Sequence, residues 1–247
     1  MDHLILTRFF CFNLNLDIFD ETLLSNGLYF LKKYLIPSLE NQTNKNFTHI
    51  LLINDNHIKS NSLTIRQLYD LKPNYKFKVL TISEFKEFRQ SIKSSDVIIS
   101  RIDNDAVYNN AVEDTQQHFD ETQNLKFYGY RNGITVEDQN FEKCYFTNIL
   151  YRGGGTNSQF QSIMFNDFPN YNGTIFYDHS NVYKFFRENK IKVNDKSFEI
   201  NETIQYAYLW TIHDQSVHIV VGQKRHQSNI TVELSCEEMR NLFGIIK

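Results

Sequence analysis

The chain reads as an α/β protein with a mainly parallel central sheet, on three observations. Short apolar runs alternate with helical patterns from residue 1 to 106, the order that builds parallel sheets. Three polar clusters sit at the ends of these runs: Thr7-Arg8, Asn54-Asp55 and Arg101-Ile102-Asp103-Asn104-Asp105. The composition, 247 residues with 41% hydrophobic content, 21 Phe and 14 Tyr, supports a sizeable core and excludes a disordered chain.

Leu4-Ile5-Leu6 is the first expected strand, entering a polar loop at Thr7-Arg8. After a loop over 12–20, Asp20 is placed to cap a helix of about 15 residues, carried by Leu24, Leu28, Leu31 and Leu35 at helical spacing. Pro37 should end or kink it, with a further helical turn at Ser38-Leu39. Phe47–Ile53 is the second strand, stopped by Asn54-Asp55-Asn56, and residues 61–71 form a short amphipathic helix. Phe77–Ile82, Glu84–Ile92 and Val97–Ser100 continue as strand, helix and strand. The pattern then changes. Ala111–Phe119 is helical, followed by strand-like Lys126–Tyr130, Thr135-Val136 and Cys144–Tyr151, a Gly153-Gly154-Gly155 loop, and a helix over Val182–Asn189. A Trp210 segment, a β-like Val217–Val221 and a final helix follow, with Ser235 and Glu238 at capping-box spacing. No repeat or linker divides the chain, so 1–247 is expected to be one domain with an α/β N-terminal half and a mixed C-terminal half.

Charge and cysteines narrow the classes. With 26 basic and 29 acidic residues the net charge is −3, which disfavours a nucleic-acid-binding role. No stretch approaches the about 20 apolar residues of a transmembrane segment. The segment from Met1 to Arg8 lacks the pattern of a signal peptide. Cys11, Cys144 and Cys236 have neither disulfide nor zinc spacing. The expected setting is a reduced, cytoplasmic one, in which the five Asn-x-Ser/Thr triplets are chance matches.

Ligands of open α/β sheets bind at the carboxyl ends of the strands, where the three polar clusters fall. Asp103 and Asp105, one residue apart in a turn, are hard oxygen donors suited to Mn²⁺ or Mg²⁺, a cation that would neutralise a departing diphosphate. The alternative is a solvated turn with an Asp cap.

Three segments carry a resemblance. Leu6-Thr7-Arg8-Phe9, then Leu35-Ile36-Pro37-Ser38-Leu39 with Gln42-Thr43 and Asn46-Phe47, then Ser100-Arg101-Ile102-Asp103-Asn104-Asp105-Ala106, resemble in order and spacing the rhamnosyltransferase family of GT-A class glycosyltransferases. The likeness covers the first ~120 residues. Ala106 stands where the family often has a further Asp.

The resemblance implies a GT-A (Rossmann-like) fold, with residues 1–106 the nucleotide-binding half and 107–247 the acceptor-side half. Thr7 and Arg8 would lie beside the base or phosphates, Asp55 near the base, and Arg101 near the nucleotide. Asp103 would face the ribose or sugar, and Asp105 would hold the metal directly. Plain structural roles, an Arg–carboxylate pair for Arg8 and Arg101 and a turn for Asp55, stay open. A late histidine at the metal is also implied; His218 is placed there, with His179, His213 and His226 as others, and Lys224-Arg225 as a diphosphate clamp. For the base that would deprotonate an acceptor in an inverting reaction, Asp178 is preferred over Asp214 and Asp167. Gly153–Gly155 is no phosphate loop, because no Gly-Lys-Ser/Thr ends it; it reads as an acceptor-side lid or an ordinary turn.

The expected activity is metal-dependent hexosyl transfer, with rhamnose one candidate sugar, from a nucleotide-diphosphate donor to a glycan acceptor. A non-catalytic carbohydrate-binding relic and a sugar nucleotidyltransferase are the alternatives, the second lacking the Gly-rich N-terminal loop it needs.

Overall fold

A computed structural model describes residues 1–10, 19–94, 96–121, 126–137, 144–148, 160–166, 186, 198–212, 231–232 and 234–245. Among these, one sheet has seven strands in the order β10-β6-β9-β4-β1-β2-β3, and a second has five in the order β12-β8-β7-β11-β5. The strands are β1 Asp2–Phe9, β2 Thr48–Ile53, β3 Lys76–Thr81, β4 Val97–Arg101, β5 Ala106–Val107, β6 Phe127–Tyr130, β7 Asn132–Glu137, β8 Cys144–Asn148, β9 Gln161–Phe165, β10 Phe198–Asn201, β11 Tyr208–Ile212 and β12 Thr231–Val232.

β3, β2, β1 and β4 pair in parallel, as the alternating pattern requires. β1 is flanked by β2 on one side and β4 on the other, so the winding reverses at β1. That reversal is where open α/β sheets leave a crevice for ligands. Beyond β4, β9 runs antiparallel to both neighbours, while β10 pairs in parallel with β6.

Burial on both faces explains the continuous apolar runs of β1, β2 and β4. Ile5, Phe9, Leu51, Ile53 and Ile98 pack with Leu24, Leu28, Leu31, Leu35 and Leu39. Leu4, Leu6, Ile50, Leu52, Val97 and Ile99 pack with Phe85, Phe127 and Phe165 on the other side.

The first helical stretch differs from expectation in an instructive way. Asp20 does cap α1, Glu21–Phe30, accepting from the Thr22 and Leu23 amides. The helix neither stops nor breaks at Pro37. It widens into a π turn at Leu31–Leu35 and resumes as α2, Ile36–Glu40. Proline has no N–H, and its ring collides with the carbonyl four residues earlier. The wider turn, in which the Ile36 amide reaches back to the Leu31 carbonyl, accommodates Pro37 with the path still helical.

α3, Leu63–Tyr69, and α4, Ile82–Ser91, fall where amphipathic spacing places them, and Thr81 with Glu84 closes a capping box on α4. α5 is Ala111–Glu121, and the last helix, α6, is Cys236–Phe243 with the Ser235–Glu238 capping box. α6 ends at Gly244, whose φ of +69° is the left-handed conformation that glycine adopts freely. No described helix is long and apolar enough to cross a membrane. The expected helix over Val182–Asn189 and strand over Val217–Val221 lie outside the described residues, save Phe186.

Candidate functional site at the sheet edge

β1 outruns β4 at the carboxyl edge. Leu6 is opposite Arg101, the last residue of β4, and the Ile102 amide still donates to the Leu6 carbonyl. Arg8 and Asp103 therefore emerge side by side. Arg8 Nη2 lies 3.5 Å from Asp103 Oδ2, and Arg101 Nη2 lies 3.2 Å from the same oxygen and 3.4 Å from Oδ1. Two guanidinium groups thus converge on one carboxylate. Arg101 is nearly buried, its side chain 6% exposed, whereas Arg8 and Asp103 reach solvent at 24% and 34%. A buried guanidinium needs a carboxylate partner to offset its lost hydration.

Asp105 follows on the same loop and is buried. Between the two carboxylates, the Asn104 side-chain oxygen is buried with no hydrogen-bond partner among the described residues.

The segment that follows β5 is tied to α2 by Gln42 and Thr43. Gln42, buried just past α2, donates through Nε2 to the Ser38 and Tyr108 carbonyls and accepts through Oε1 from the Val112 amide. It ties the end of α2 to the segment between β5 and α5 and satisfies one otherwise open N–H of α5's first turn. Thr43 adds its amide to the Asn109 carbonyl and its hydroxyl to Glu113. A buried glutamine beside a helix C-terminus is the signal that could have found this tie.

The other expected site residues are placed less centrally. The Thr7 side chain is fully buried and points into the sheet face, its hydroxyl 3.0 Å from His49 Nε2, while His49 Nδ1 is 3.2 Å from the Tyr75 hydroxyl. Any nucleotide contact by Thr7 is therefore left to its backbone. Burial lowers the His49 pKa to about 3, so the ring is neutral. Asp55 is exposed in the turn after β2 and accepts from the Ser83 amide in the first turn of α4. Partial burial works to raise its pKa, but hydrogen bonds from Ser83 and Thr81, with Lys86 nearby, hold it below the ordinary value. Asp55 therefore ties β2 to α4 at the same edge. Asp178, Asp167, Asp214, His179, His213, His218, His226, Lys224-Arg225 and Gly153–Gly155 lie outside the described residues.

The donor set tests the expected cation. Among the described residues, no group of three or more His, Cys, Asp and Glu side chains is arranged to hold a metal. Asp103, committed to two guanidinium groups, does not fit as a direct ligand, because a divalent cation there would face both positive charges. Asp105 and the Asn104 oxygen are the remaining hard oxygen donors of the loop.

The fold is α/β, and its sheet reverses winding beside the charged cluster of Arg8, Arg101 and Asp103. Residues 16–162 match the family model described as "Putative rhamnosyl transferase". The chain belongs to that glycosyltransferase family.

Solved structures align with this chain at low identity and with TM-scores below 0.5. The crystal structure of S. aureus TarS 1–349 aligns with a TM-score of 0.44 at 11% identity, over 85% of this chain and 60% of that one. The same S. aureus protein in complex with UDP aligns at 0.41 and 11%, over 87% and 61%. HddC from Yersinia pseudotuberculosis aligns at 0.40 and 14%, over 84% and 92%. The chain thus spans about 60% of the length of the TarS fragment. No curated protein matches the sequence.

Proposed function

We propose that the protein transfers a sugar, with rhamnose the first candidate, from a nucleoside diphosphate donor to a glycan hydroxyl. The observation that carries this reading is the convergence of Arg8, Arg101 and Asp103 where the sheet's winding reverses, in a chain of a glycosyltransferase family. Guanidinium groups match phosphate oxygens in geometry and keep their charge at any working pH. Placed at the strand edge, they stabilise the negative charge that grows on the diphosphate as the bond to the sugar breaks. Asp105 and the Asn104 oxygen would hold Mn²⁺ or Mg²⁺, which would supply further neutralisation of the same leaving group. The Ile102 amide on the Leu6 carbonyl keeps the start of the loop in register with β1.

The test is incubation with a panel of nucleotide sugars and glycan acceptors, with Mn²⁺ and with EDTA, reading nucleoside diphosphate release and acceptor mass. Donor cleavage that rises with acceptor is the expected result. Asp105→Asn keeps the size and one acceptor oxygen but removes the charge, so it should cut Mn²⁺-stimulated turnover at least tenfold at an unchanged melting temperature. Nucleotide binding without turnover under every condition would overturn the transferase reading in favour of a binding relic, and pyrophosphate-dependent nucleoside triphosphate formation in favour of a nucleotidyltransferase.

A further inference from the structure

The geometry points to Asp103 as a positioning residue: it draws Arg8 and Arg101 together into an anion site that takes a diphosphate without a divalent cation. This deepens the reading above and rests on it for the identity of the natural ligand.

The argument starts from charge. Arg8 and Arg101 stand at the ends of adjacent parallel strands, and two guanidinium groups that close repel one another. Asp103 lies between them, one oxygen within 3.5 Å of Arg8 and 3.2 Å of Arg101, the other 3.4 Å from Arg101. The trio keeps a net positive charge of one. Arg101 is set by burial, whereas Arg8 keeps part of its surface in water, so the pair has one rigid member and one accessible member. A diphosphate meets the exposed part of Arg8 directly, while nearly buried Arg101 holds Asp103 in place and adds its charge from behind.

The position of Asp103 also separates two roles that its sequence context confounds. A carboxylate that serves as a cation ligand contributes only when the cation is present. In its absence the carboxylate repels the diphosphate, and neutralising it improves anion binding. A carboxylate that aligns two arginines contributes without any cation. Neutralising it weakens anion binding although the site becomes more positive. The two roles predict opposite signs.

The experiment measures calorimetric binding of inorganic pyrophosphate, and separately of UDP, dTDP and GDP, in EDTA, to the full chain and to Arg8→Gln, Arg101→Gln and Asp103→Asn. The expected result is that the wild-type chain binds pyrophosphate in EDTA, and that Arg8→Gln and Asp103→Asn each weaken it roughly tenfold. Arg101 is buried and its variant is at risk of misfolding; Arg8, partly exposed, keeps the test decisive. Unchanged or tighter pyrophosphate binding by Asp103→Asn overturns the inference, as does wild-type chain that binds no pyrophosphate in EDTA. In the latter case, nucleoside diphosphate binding that appears with Mn²⁺ leaves the transferase reading standing. Conversely, pyrophosphate binding lost in both variants, with no nucleoside diphosphate bound more tightly than pyrophosphate, sustains the anion site and removes the sugar-nucleotide reading.

Discussion

Gln42→Met tests whether the amide clamp between α2 and the segment joining β5 to α5 is worth what its hydrogen bonds imply. Methionine is close to glutamine in length and volume, so packing is conserved while every hydrogen bond of the amide is lost. The Val112 amide, in a fully buried residue, then has no acceptor. An orphaned buried N–H costs about 1–3 kcal/mol. The Tyr108 carbonyl is less affected because it still accepts from the Ala111 amide at 3.1 Å. Loss of the two bonds from Nε2 adds about 1 kcal/mol after the gain from burying an apolar side chain. The total is about 2–4 kcal/mol, or roughly 4–8 °C in melting temperature for a chain of this length. Urea denaturation followed by tryptophan fluorescence and circular dichroism gives the free energy. Gln42→Glu adds a sign test. It keeps an acceptor for Val112 but turns a charged oxygen on the Ser38 and Tyr108 carbonyls, so it should be worse than Met at neutral pH and recover as acid restores a donor. A loss below about 1 kcal/mol for Gln42→Met, or a Glu variant insensitive to pH, would refute the clamp.

Two further outcomes follow from the fold. His3 and His49 are both buried, and burial lowers each pKa from 6.5 to about 3. The unfolded chain therefore binds protons that the folded chain refuses. The contribution is whole above pH 6.5 and is lost as pH falls toward 3, at about 1.4 kcal/mol per pH unit for each ring; urea midpoints at pH 7, 6 and 5 should fall accordingly, and a His3→Gln, His49→Gln double variant should flatten that slope. Gly244→Ala forces a left-handed residue to carry a Cβ that would sit 2.6 Å from the Pro37 carbonyl and from Asn41 Cβ. The expected loss is about 2–4 kcal/mol in urea denaturation, with α6 drawn away from α2.

Much of the N-terminal fold was legible because its signals are local. Four apolar runs, each too short for a helix and three of them closed by Asn or Arg, became β1, β2, β3 and β4. Asp20, Ser235 and Glu238 announced their caps, since capping needs only residues three or four apart. What escaped was non-local. β9, Gln161–Phe165, reads Gln-Ser-Ile-Met-Phe, too short and too mixed to stand out, and it is a strand because β4 and β6 pair with it on both sides. β5 is two residues long and exists through its pairing with β11. The passage of the helix through Pro37 likewise depends on Leu31, Leu35 and Leu39 all staying against the sheet, an energy larger than the cost of widening one turn.

The same division runs through the site. Sequence alone determined which residues stand at the carboxyl ends of strands, because strand boundaries follow from local hydrophobicity. Local patterning alone puts Arg8, Asp55, Arg101, Asp103 and Asp105 at that edge. Only the tertiary structure decided what each touches. The stagger by which β1 outruns β4 set Arg8 beside Asp103. The alternation of side chains along β1 sent Thr7 inward to His49 and Arg8 outward, and the return of α2 beneath β5 brought Gln42 to Val112. These contacts depend on register and on packing between residues up to 95 positions apart. No local pattern encodes them, because their energy exists only once the sheet has formed.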